Sequence, residues 1–458
     1  MIDLHFRLAL LLGQVFQFFL RLTPYWGGGA APGLLALKID PKFISKQKKN
    51  FKLHILVSGT NGKTTTARMI SAFLSVQKIP HIHNRTGSNL LRGIASVLIA
   101  GQKRKKKEKN LIGLWEVDEA VLPYAIDQLK PQMVVLTNLF RDQLDRYGEI
   151  DTLAKKWLNS LKSLPEKSRV ILNGDDATLV SLGKKLSNSL FFGIEKLKNG
   201  ETKPAHAADA TFCPKCLKPL DYRQVYYSHL GSFSCTCGFC QAGKTISAKQ
   251  IKQTGKSISF VCRLKPKSLK INLPVIGLFN VYNCLAALAV AKLLKLDLGT
   301  VPQALAEFKP AFGRMETIKV NNKTISLLLV KNPTGFNQVI TTLIRKKSLP
   351  VLVIAINDKL ADGTDISWLW DVDFEALKGK SNNIIVTGTR ARDMALRLKY
   401  AGIDLKTLSL ITTNLKKALA EAVKSQAEQV YLLPTYTAML EMRNIFRQSG
   451  IIHSSWED

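Results

Sequence analysis

Acidic residues are scarce in this sequence of 458 residues, which contains 34 aspartates and glutamates against 66 lysines and arginines. The resulting formal net charge of +32 predicts an anionic partner, such as a nucleic acid, a phosphorylated substrate or an anionic membrane face. Hydrophobic residues make up 46% of the chain, which argues against a mainly disordered protein. At roughly 150 residues per domain, the length predicts about three structural units.

An uninterrupted apolar run long enough to cross a bilayer is also missing. A spanning helix needs ~20 apolar residues, whereas the stretch from Leu8 to Leu22 is shorter and contains Gln14 and Gln17. The glycine-rich residues 27–33 could imitate a signal-peptide cleavage site, but a phosphate-loop pattern follows them closely. We therefore expect residues 1–50 to hold a linker and an amphipathic helix that packs on the protein or rests on a membrane surface.

Cysteines are few outside one segment, since five of the seven lie between Cys213 and Cys240. An odd, clustered set argues against a disulfide framework and favours a metal site in a reducing compartment. Cys213 and Cys216 have the spacing of half of a tetrahedral zinc site. The other half is ambiguous, because spacing alone favours Cys237 with Cys240 while Cys235 lies close by.

Apolar strand-like runs alternate with helical patterns along most of the chain. Continuous apolar strands separated by helices predict an α/β fold with a parallel sheet that is covered on both faces. We expect one α/β domain over residues 51–308, interrupted by a polar, cysteine-bearing insertion at 207–243. A second α/β domain is expected over residues 309–458.

A phosphate-binding loop is predicted where the apolar run "LHILVS" meets a helical pattern. Glycines in such a loop let backbone N–H groups approach phosphate oxygens, and the helix N-terminus adds its positive dipole end. Lys63 is expected to meet the β- and γ-phosphates, and the Thr64 hydroxyl is expected to bind Mg²⁺. Glu116, at the end of another apolar strand, is the expected carboxylate ligand of the metal, and Asp118 and Glu119 are attributed to helix N-terminal charge. The full predicted nucleotide loop comprises Gly59, Thr60, Asn61, Gly62, Lys63, Thr64 and Thr65.

Longer motifs resemble a known family of ATP-dependent amide-forming enzymes. The segments "SGTNGKTTT", "FNVYNCLAA" and "FGRME" are similar to motifs of the Mur ligase superfamily. The segments "NRTGSNLLRGIAS", "EVDEAVLP", "TNLFRDQLDRYGEIDT" and "NDKLADGTDISWLWDVDFE" resemble, more narrowly, the ligase-like subunits of lipid II isoglutaminyl synthases. The resemblance implies a central parallel-sheet ATPase domain with an inserted four-cysteine zinc ribbon, followed by a C-terminal α/β domain.

The resemblance also implies a reaction in peptidoglycan synthesis. ATP, with Mg²⁺, would phosphorylate the α-carboxylate of D-glutamate in the lipid II stem peptide, and ammonia would attack the acyl phosphate to give D-isoglutamine. Asn280 and Arg314 match superfamily positions near the nucleotide. The expected location is cytoplasmic, or peripheral at the inner face of the membrane where lipid II lies.

The source of ammonia is expected to be a second chain. A glutaminase needs a cysteine nucleophile beside a histidine, and Cys262 and Cys284 are each predicted to be core residues instead. The resemblance implies a heterodimer with a separate, GatD-like glutaminase subunit, whose catalytic triad is completed by Asp365 of this chain. Asp358 and Asp362 lie near enough in the sequence to be alternatives.

The resemblance also favours one of the two possible cysteine pairs for the second half of the zinc site. Family members place their second pair before a Gly-Phe dipeptide, which corresponds to Cys235 and Cys237, with Cys240 as the substitute. All four positions would then be filled by sulfur around a structural Zn²⁺, which leaves no open position for catalysis.

Two other functions compete with this interpretation. One is a Mur-superfamily ligase that acts alone, such as an amino-acid-adding enzyme or a folylpolyglutamate synthase, which would need neither the cysteine insertion nor the "DGTDISW" segment. The other is a nucleic-acid-binding protein, suggested by the charge. We expect no nucleic-acid partner, because the sequence shows no RNA- or DNA-binding module and no basic patch interleaved with aromatic residues.

Overall fold

The structure is a computed structural model that describes residues 4–22, 29–85, 88–102, 108, 110–141, 150–198, 200–204, 208–254, 257–306, 308, 314–320, 322–344 and 349–452. The chain divides into two compact units. The first unit contains Met1–Phe140, Ile150–Pro204 and Asp209–Lys309, and the second contains Arg141–Glu149, Ala205–Ala208 and Pro310–Asp458.

The strands and helices of the first unit occur in a mostly alternating order. Its strands are β1 Leu53–Ser58, β2 His81–His83, β3 Ile112–Glu116, β4 Met133–Leu136, β5 Arg169–Asn173, β6 Ser189–Ile194, β7 Asp221–Tyr227, β8 Leu230–Ser234, β9 Ile246–Gln253, β10 Ile258–Leu264 and β11 Lys267–Leu273. Its helices are α1 Leu4–Leu22, α2 Ala31–Ile39, α3 Phe43–Gln47, α4 Lys63–Val76, α5 Leu91–Ala100, α6 Leu122–Leu129, α7 Ile150–Lys162, α8 Ala177–Gly183, α9 Phe279–Leu293 and α10 Val301–Ala306.

The second unit repeats this alternation on a smaller scale. Its strands are β12 Arg314–Val320, β13 Lys323–Leu328, β14 Val351–Ala355, β15 Ile384–Thr387, β16 Leu408–Thr412 and β17 Gln429–Pro434. Its helices are α11 Pro333–Ile344, α12 Ala391–Tyr400, α13 Leu415–Lys424 and α14 Tyr436–Gln448. Short 3-10 helices lie at Lys48–Asn50 and Leu298–Thr300 in the first unit, and at Ser367–Asp371, Phe374–Leu377 and Leu405–Thr407 in the second unit.

Nine strands of the first unit form one sheet in the order β11-β10-β9-β6-β5-β4-β1-β3-β2. The strands from β6 to β2 in this order are parallel to their neighbours. Alternate residues of β1 enter opposite cores: Ile55 and Val57 pack with α4 on one face, and Leu56 packs on the other. Burial on both faces explains why the strand is a continuous apolar run, and the predicted α/β fold with a central parallel sheet is confirmed.

An antiparallel extension of this sheet was not predicted. Strands β9, β10 and β11 pair antiparallel to one another, and β9 joins the extension to β6 in parallel. Residues in β10 and β11 alternate between buried and more exposed positions. Such alternation is typical of a sheet with one solvated face. The sequence interpretation recognised only the strand-like run "SISFV" here, which overlaps β10.

The end of the glycine-rich stretch, which was expected to be a linker, is helical from Ala31. Helix α2 begins at Ala31, and its Pro32 and Gly33 are buried. A Cβ atom at residue 33 would lie 1.9 Å from the carbonyl oxygen of Arg92, so glycine lets α2 approach α5 closely. The Gly33 amide also donates to Ser96 Oγ at 2.8 Å. Glycine therefore serves helix packing here.

The second unit has a sheet of six strands in the order β12-β13-β17-β14-β15-β16. Its strands are parallel except for the β12–β13 pair. Apolar clusters cover both faces, with α11 and α12 on one side and α13 and α14 on the other. The predicted C-terminal α/β domain is thus present. None of the described helices in either unit combines the length and apolarity that crossing a bilayer requires.

Candidate active site and cysteine cluster

The predicted phosphate loop lies at the carboxyl end of β1, which stands between β3 and β4 in the sheet. The strand order changes direction at β1, and such switch points are where open α/β sheets bind ligands. Gly59 and Gly62 have φ angles of +124° and +89°, which favour glycine. A Cβ atom at residue 62 would lie 2.1 Å from Asn283 Oδ1, so the loop has no room for a side chain there.

Lys63 is the first residue of α4, and its ammonium group is held inside the loop. Its Nζ donates to Glu119 Oε2 at 2.7 Å and to the carbonyl oxygens of Gly59 and Thr60 at 2.6 and 3.2 Å. Lys63 and Glu119 are both buried, so the two charges compensate each other where water is largely excluded. Glu119 is therefore the ion-pair partner of Lys63 and not only a negative charge near a helix N-terminus. The sequence interpretation missed this pairing.

Thr64 and Glu116 meet beside the lysine. Thr64 Oγ1 donates to Glu116 Oε1 at 2.7 Å. The Glu116 backbone is fixed by Asn84, whose side chain accepts from the Glu116 amide and donates to its carbonyl oxygen, each at 2.8 Å. A hydroxyl and a carboxylate in contact at a phosphate loop are the oxygen ligands that Mg²⁺ takes in nucleotide sites, so these side chains fit the predicted metal.

The residues after β4 support the other side of the loop. Asn138 Oδ1 accepts from the Asn61 amide at 2.9 Å, and its Nδ2 donates to the Asn61 carbonyl oxygen at 3.0 Å. Thr60 Oγ1 donates to the Phe140 carbonyl oxygen at 3.1 Å and accepts from the Phe140 amide at 2.9 Å. Thr65, the last predicted loop residue, is buried in the first turn of α4. Asn138 was missed, although it lies within the motif "TNLFRDQLDRYGEIDT".

Asn280 lies behind the loop and is linked to it through Asn283. Asn283 Nδ2 donates to Asn280 Oδ1 at 3.2 Å, and Asn280 Nδ2 donates to the Ile276 carbonyl oxygen at 2.8 Å. Asn283 is thus the residue of the "FNVYNCLAA" motif that meets Gly62. Arg314 is the first residue of β12, and its side chain lies outside the described residues.

Two buried aspartates join the loop after β4 to the cysteine-bearing insertion. Asp176 Oδ2 accepts from the Leu139 amide at 3.0 Å and lies 3.6 Å from His229 Nε2 of the insertion. Asp175 pairs with Lys244 at 2.6 Å and accepts from the Tyr282 hydroxyl at 3.0 Å. Burial, and the neighbouring Asp175 carboxylate, raise the pKa of Tyr282 well above its usual value, so this hydroxyl remains a donor.

Four cysteines of the insertion converge. The Sγ atoms of Cys213, Cys216, Cys235 and Cys237 all lie within 4.8 Å of one another. Cys213 is 3.6 Å from Cys237, and Cys216 is 3.5 Å from Cys235, between sulfur atoms. Tetrahedral zinc with Zn–S bonds of about 2.3 Å separates its sulfurs by about 3.8 Å, so the cluster fits a structural zinc ion. Cys240 is exposed and outside this group, which matches the pairing from the resemblance and not the pairing that spacing alone favours.

The three aspartates of the second unit have different surroundings. Asp362 is buried and accepts hydrogen bonds from the Thr437 amide, at 2.8 Å, and the Thr437 hydroxyl. Burial raises the pKa of this carboxyl group. Asp358 accepts from Thr389 Oγ1 at 2.8 Å and lies 3.6 Å from Arg390. Asp365 is exposed, and its carboxylate accepts from the amide and hydroxyl of Ser367, both at 2.8 Å.

The chain matches models of two protein families. The Mur ligase middle domain matches residues 57–215 and 221–291, and the MurT ligase C-terminal domain matches residues 329–439. Among curated relatives, the subunit MurT of the glutamine-hydrolysing lipid II isoglutaminyl synthase of Staphylococcus aureus strain COL is 33% identical over 91% of this chain and 92% of its own. The chain belongs to the MurT family of Mur ligases. The MurT subunit of Streptococcus pneumoniae strain R6 is also 33% identical, over 98% of this chain and 99% of its own.

Solved structures share the fold of this MurT family member. A pseudomurein peptide ligase type C from Methanothermus fervidus has a TM-score of 0.68 at 22% identity and covers 89% of this chain and 81% of its own. MurF from Acinetobacter baumannii has a TM-score of 0.66 at 18% identity over 90% of this chain and 80% of its own. The predicted Mur-ligase-type fold is therefore confirmed. The MurT relatives confirm the predicted class of enzyme, a ligase.

Membership of the MurT family has two further consequences. The chain has a Mur-ligase-type role in peptidoglycan synthesis. ATP and Mg²⁺ are the expected nucleotide and metal of this fold. Because the curated relatives are named as subunits of a synthase, family membership also implies a partner chain.

Replacing Lys63 by alanine is expected to weaken binding of a non-hydrolysable ATP analogue about 10- to 100-fold, because a charge-assisted contact to phosphate is lost. Isothermal titration calorimetry measures the change, and circular dichroism checks the fold. Lys52→Ala is the matched control, because Lys52 is exposed and precedes β1 at the opposite end of the strand. Equal affinities of the two variants would contradict the loop assignment.

Replacing Cys213 by serine is expected to remove zinc and lower the thermal stability of the chain, because a small insertion of this kind would gain much of its stability from a bound metal. Zinc content per chain is measured by atomic emission, and stability by thermal unfolding. Cys240→Ser should keep both at the wild-type level. A soluble Cys213→Ser protein with unchanged melting temperature and no zinc would show that the cluster is not a structural metal site.

Proposed function

We propose that this chain activates the α-carboxylate of D-glutamate in the lipid II stem peptide, and that ammonia from a glutaminase subunit converts it to D-isoglutamine. The carboxylate attacks the γ-phosphorus of ATP, which gives an acyl phosphate and ADP. Ammonia then attacks the acyl carbon, phosphate leaves, and a proton is lost from nitrogen. Phosphorylation is needed because a carboxylate has no adequate leaving group of its own.

The contacts of the phosphate loop support the first step. Lys63 presents a buried ammonium group at the start of α4, and Glu119 is its present charge partner. A γ-phosphate oxygen can take the place of Glu119 without leaving the ammonium unpaired, and the lysine then offsets charge that develops on the transferring phosphoryl group. Thr64 and Glu116 would hold a Mg²⁺ ion, which supplies further compensation of phosphate charge when bound.

Two buried thiols support the need for a second chain. Cys262 in β10 and Cys284 in α9 lie within the apolar core of the first unit. Burial raises the pKa of Cys262 to about 12 and that of Cys284 well above its usual value. A glutaminase nucleophile must be an accessible thiolate beside a histidine. These two cysteines therefore cannot serve, and the four clustered cysteines are engaged with one another.

The second unit offers an exposed carboxylate for such a partner. Two of the three candidate aspartates accept hydrogen bonds from distant residues: Asp362 from Thr437, and Asp358 from Thr389. Asp365 instead accepts its hydrogen bonds from within its own turn. Trp370, a few residues further on, is 53% exposed and packs edge-on against Tyr400. Exposed aromatic residues are common anchors of protein interfaces. These features support Asp365 as the group that orients the histidine of a GatD-like glutaminase.

The lipid-linked substrate also indicates where in the cell this chain would work. Lipid II carries a pyrophosphate and lies in the inner leaflet while it is processed, so we propose that the chain works in the cytoplasm at the membrane face. The net charge of +32 suits such anionic surroundings.

Replacing Asp365 by asparagine is expected to lower glutamine-driven amidation of lipid II by at least about 100-fold, because the partner's histidine loses the carboxylate that orients it. Amidation driven by high ammonium concentrations should remain near the wild-type rate. Both rates are measured on the complex of this chain with its glutaminase subunit, by mass spectrometry of the stem peptide.

Asp358→Asn in the same complex is the control for this test, since Asp358 is already bonded to Thr389. It is expected to leave both rates unchanged. A glutamine-specific loss in Asp358→Asn, with none in Asp365→Asn, would transfer the role to Asp358. Equal loss under both conditions in Asp365→Asn would mean that Asp365 does not serve the glutaminase.

A further inference from the structure

Helix α1 carries an apolar stripe that faces away from the protein. Leu4, Leu8, Leu11, Val15 and Phe18 recur at intervals of three or four residues, which places them on one side of a helix. All five are exposed, from 44% for Val15 to 77% for Leu4. Leucines and a phenylalanine at regular helical spacing on a surface form an extended apolar patch, and such patches mark interaction sites.

The opposite side of α1 is fixed to the first unit. Ala9 and Gly13 are buried, and a Cβ atom at residue 13 would lie 2.7 Å from Ile99 Cδ1 of α5. The rings of Phe6 and Phe43 stack with centroids 5.3 Å apart. The helix therefore has a defined orientation, which keeps the stripe on the outside.

Other apolar residues of α1 and of the adjacent helix α2 are also exposed. Leu12 of α1 and Leu34 of α2 are 38% and 41% exposed, and α2 packs against α1. Helix α1 contains no aspartate or glutamate in its 19 residues, and its Arg7 is exposed. The apolar surface of α1 has no acidic groups, and the chain has a net charge of +32. These properties complement a layer whose interior is apolar and whose outer groups are negatively charged.

We propose that the outward face of α1 docks in the interface of an anionic lipid bilayer. The leucines and Phe18 enter the boundary between headgroups and acyl chains, and Arg7 and the net positive charge are attracted to anionic headgroups. This inference rests on the proposed function, because a lipid-linked substrate brings the chain to that surface. It goes further by naming the surface that makes the contact.

A bilayer suits this stripe better than a protein partner does. The stripe is a flat row along one helix, and a partner protein would normally meet it with complementary charges around its edge. The described residues of α1 provide no acidic group for such contacts. Amphipathic helices that lie in membranes have this combination of an apolar face and basic polar residues.

Flotation with vesicles tests the proposal. The full chain is mixed with vesicles of phosphatidylglycerol and phosphatidylcholine, and with vesicles of phosphatidylcholine alone. The wild-type chain should partition at least about tenfold more strongly onto the anionic vesicles. The double variant Leu11→Gln with Phe18→Gln should lose at least about tenfold in partitioning, while its net charge stays unchanged.

The matched control replaces two exposed apolar residues of the second unit, Leu396→Gln with Tyr400→Gln. These changes should leave partitioning at the wild-type level. Hydrogen exchange should slow in residues 4–22 on anionic vesicles, which locates the contact without any substitution.

Several outcomes would overturn the proposal. They are absence of vesicle binding by the wild type, equal binding by both double variants, or an α1-dependent dimer in sedimentation velocity without vesicle binding. Because the assay needs neither ATP nor a glutaminase subunit, it fails or succeeds independently of the proposed amidation. A chain that binds vesicles but does not amidate lipid II would refute the proposed function alone.

Discussion

The whole site depends on holding one buried ammonium group at the end of a central parallel strand. Lys63 can stand there because β1 runs directly into α4 through two glycines in left-handed conformations. Its charge is balanced by Glu119, which comes from the segment after β3. An uncompensated lysine at this depth would be costly, and an anionic phosphate supplies the same compensation as the carboxylate. The ion pair thus keeps the loop folded and ready for a nucleotide.

The cysteine-bearing insertion is connected to this site through buried side chains. The insertion carries His229, which packs beside the buried Asp176, and Asp176 in turn accepts from the Leu139 amide. The residue before Leu139, Asn138, holds the Asn61 backbone of the phosphate loop. These contacts link the insertion to the loop, although neither ring nitrogen of His229 has a hydrogen-bond partner among the described residues. A metal that orders the insertion would hold His229 in place next to Asp176, although the cysteine ligands lie outside the site.

Short-range sequence patterns allowed the parallel strands and the phosphate loop to be predicted. The choice of Cys235 and Cys237 came from the family resemblance, because spacing alone favoured Cys237 with Cys240. Apolar runs marked the parallel strands, and the Gly-Lys-Thr pattern marked the loop. The pairing of Lys63 with Glu119 and the contact of Asn283 with Gly62 could not be derived, since residues 56 and more than 200 positions apart meet only through tertiary folding. The antiparallel pairing of β9–β11 was not predicted, because the alternating pattern of these strands is weaker than a continuous apolar run.

The central claim is that the stem-peptide carboxylate becomes an acyl phosphate before nitrogen is added. Isotope transfer tests this most directly: lipid II labelled with ¹⁸O in the D-glutamate α-carboxylate is amidated by the complete complex, with ATP and ammonium. The account predicts that one labelled oxygen appears in inorganic phosphate for each amide formed. Label in AMP would indicate an acyl adenylate instead. Amide formation without any labelled phosphate would contradict the account.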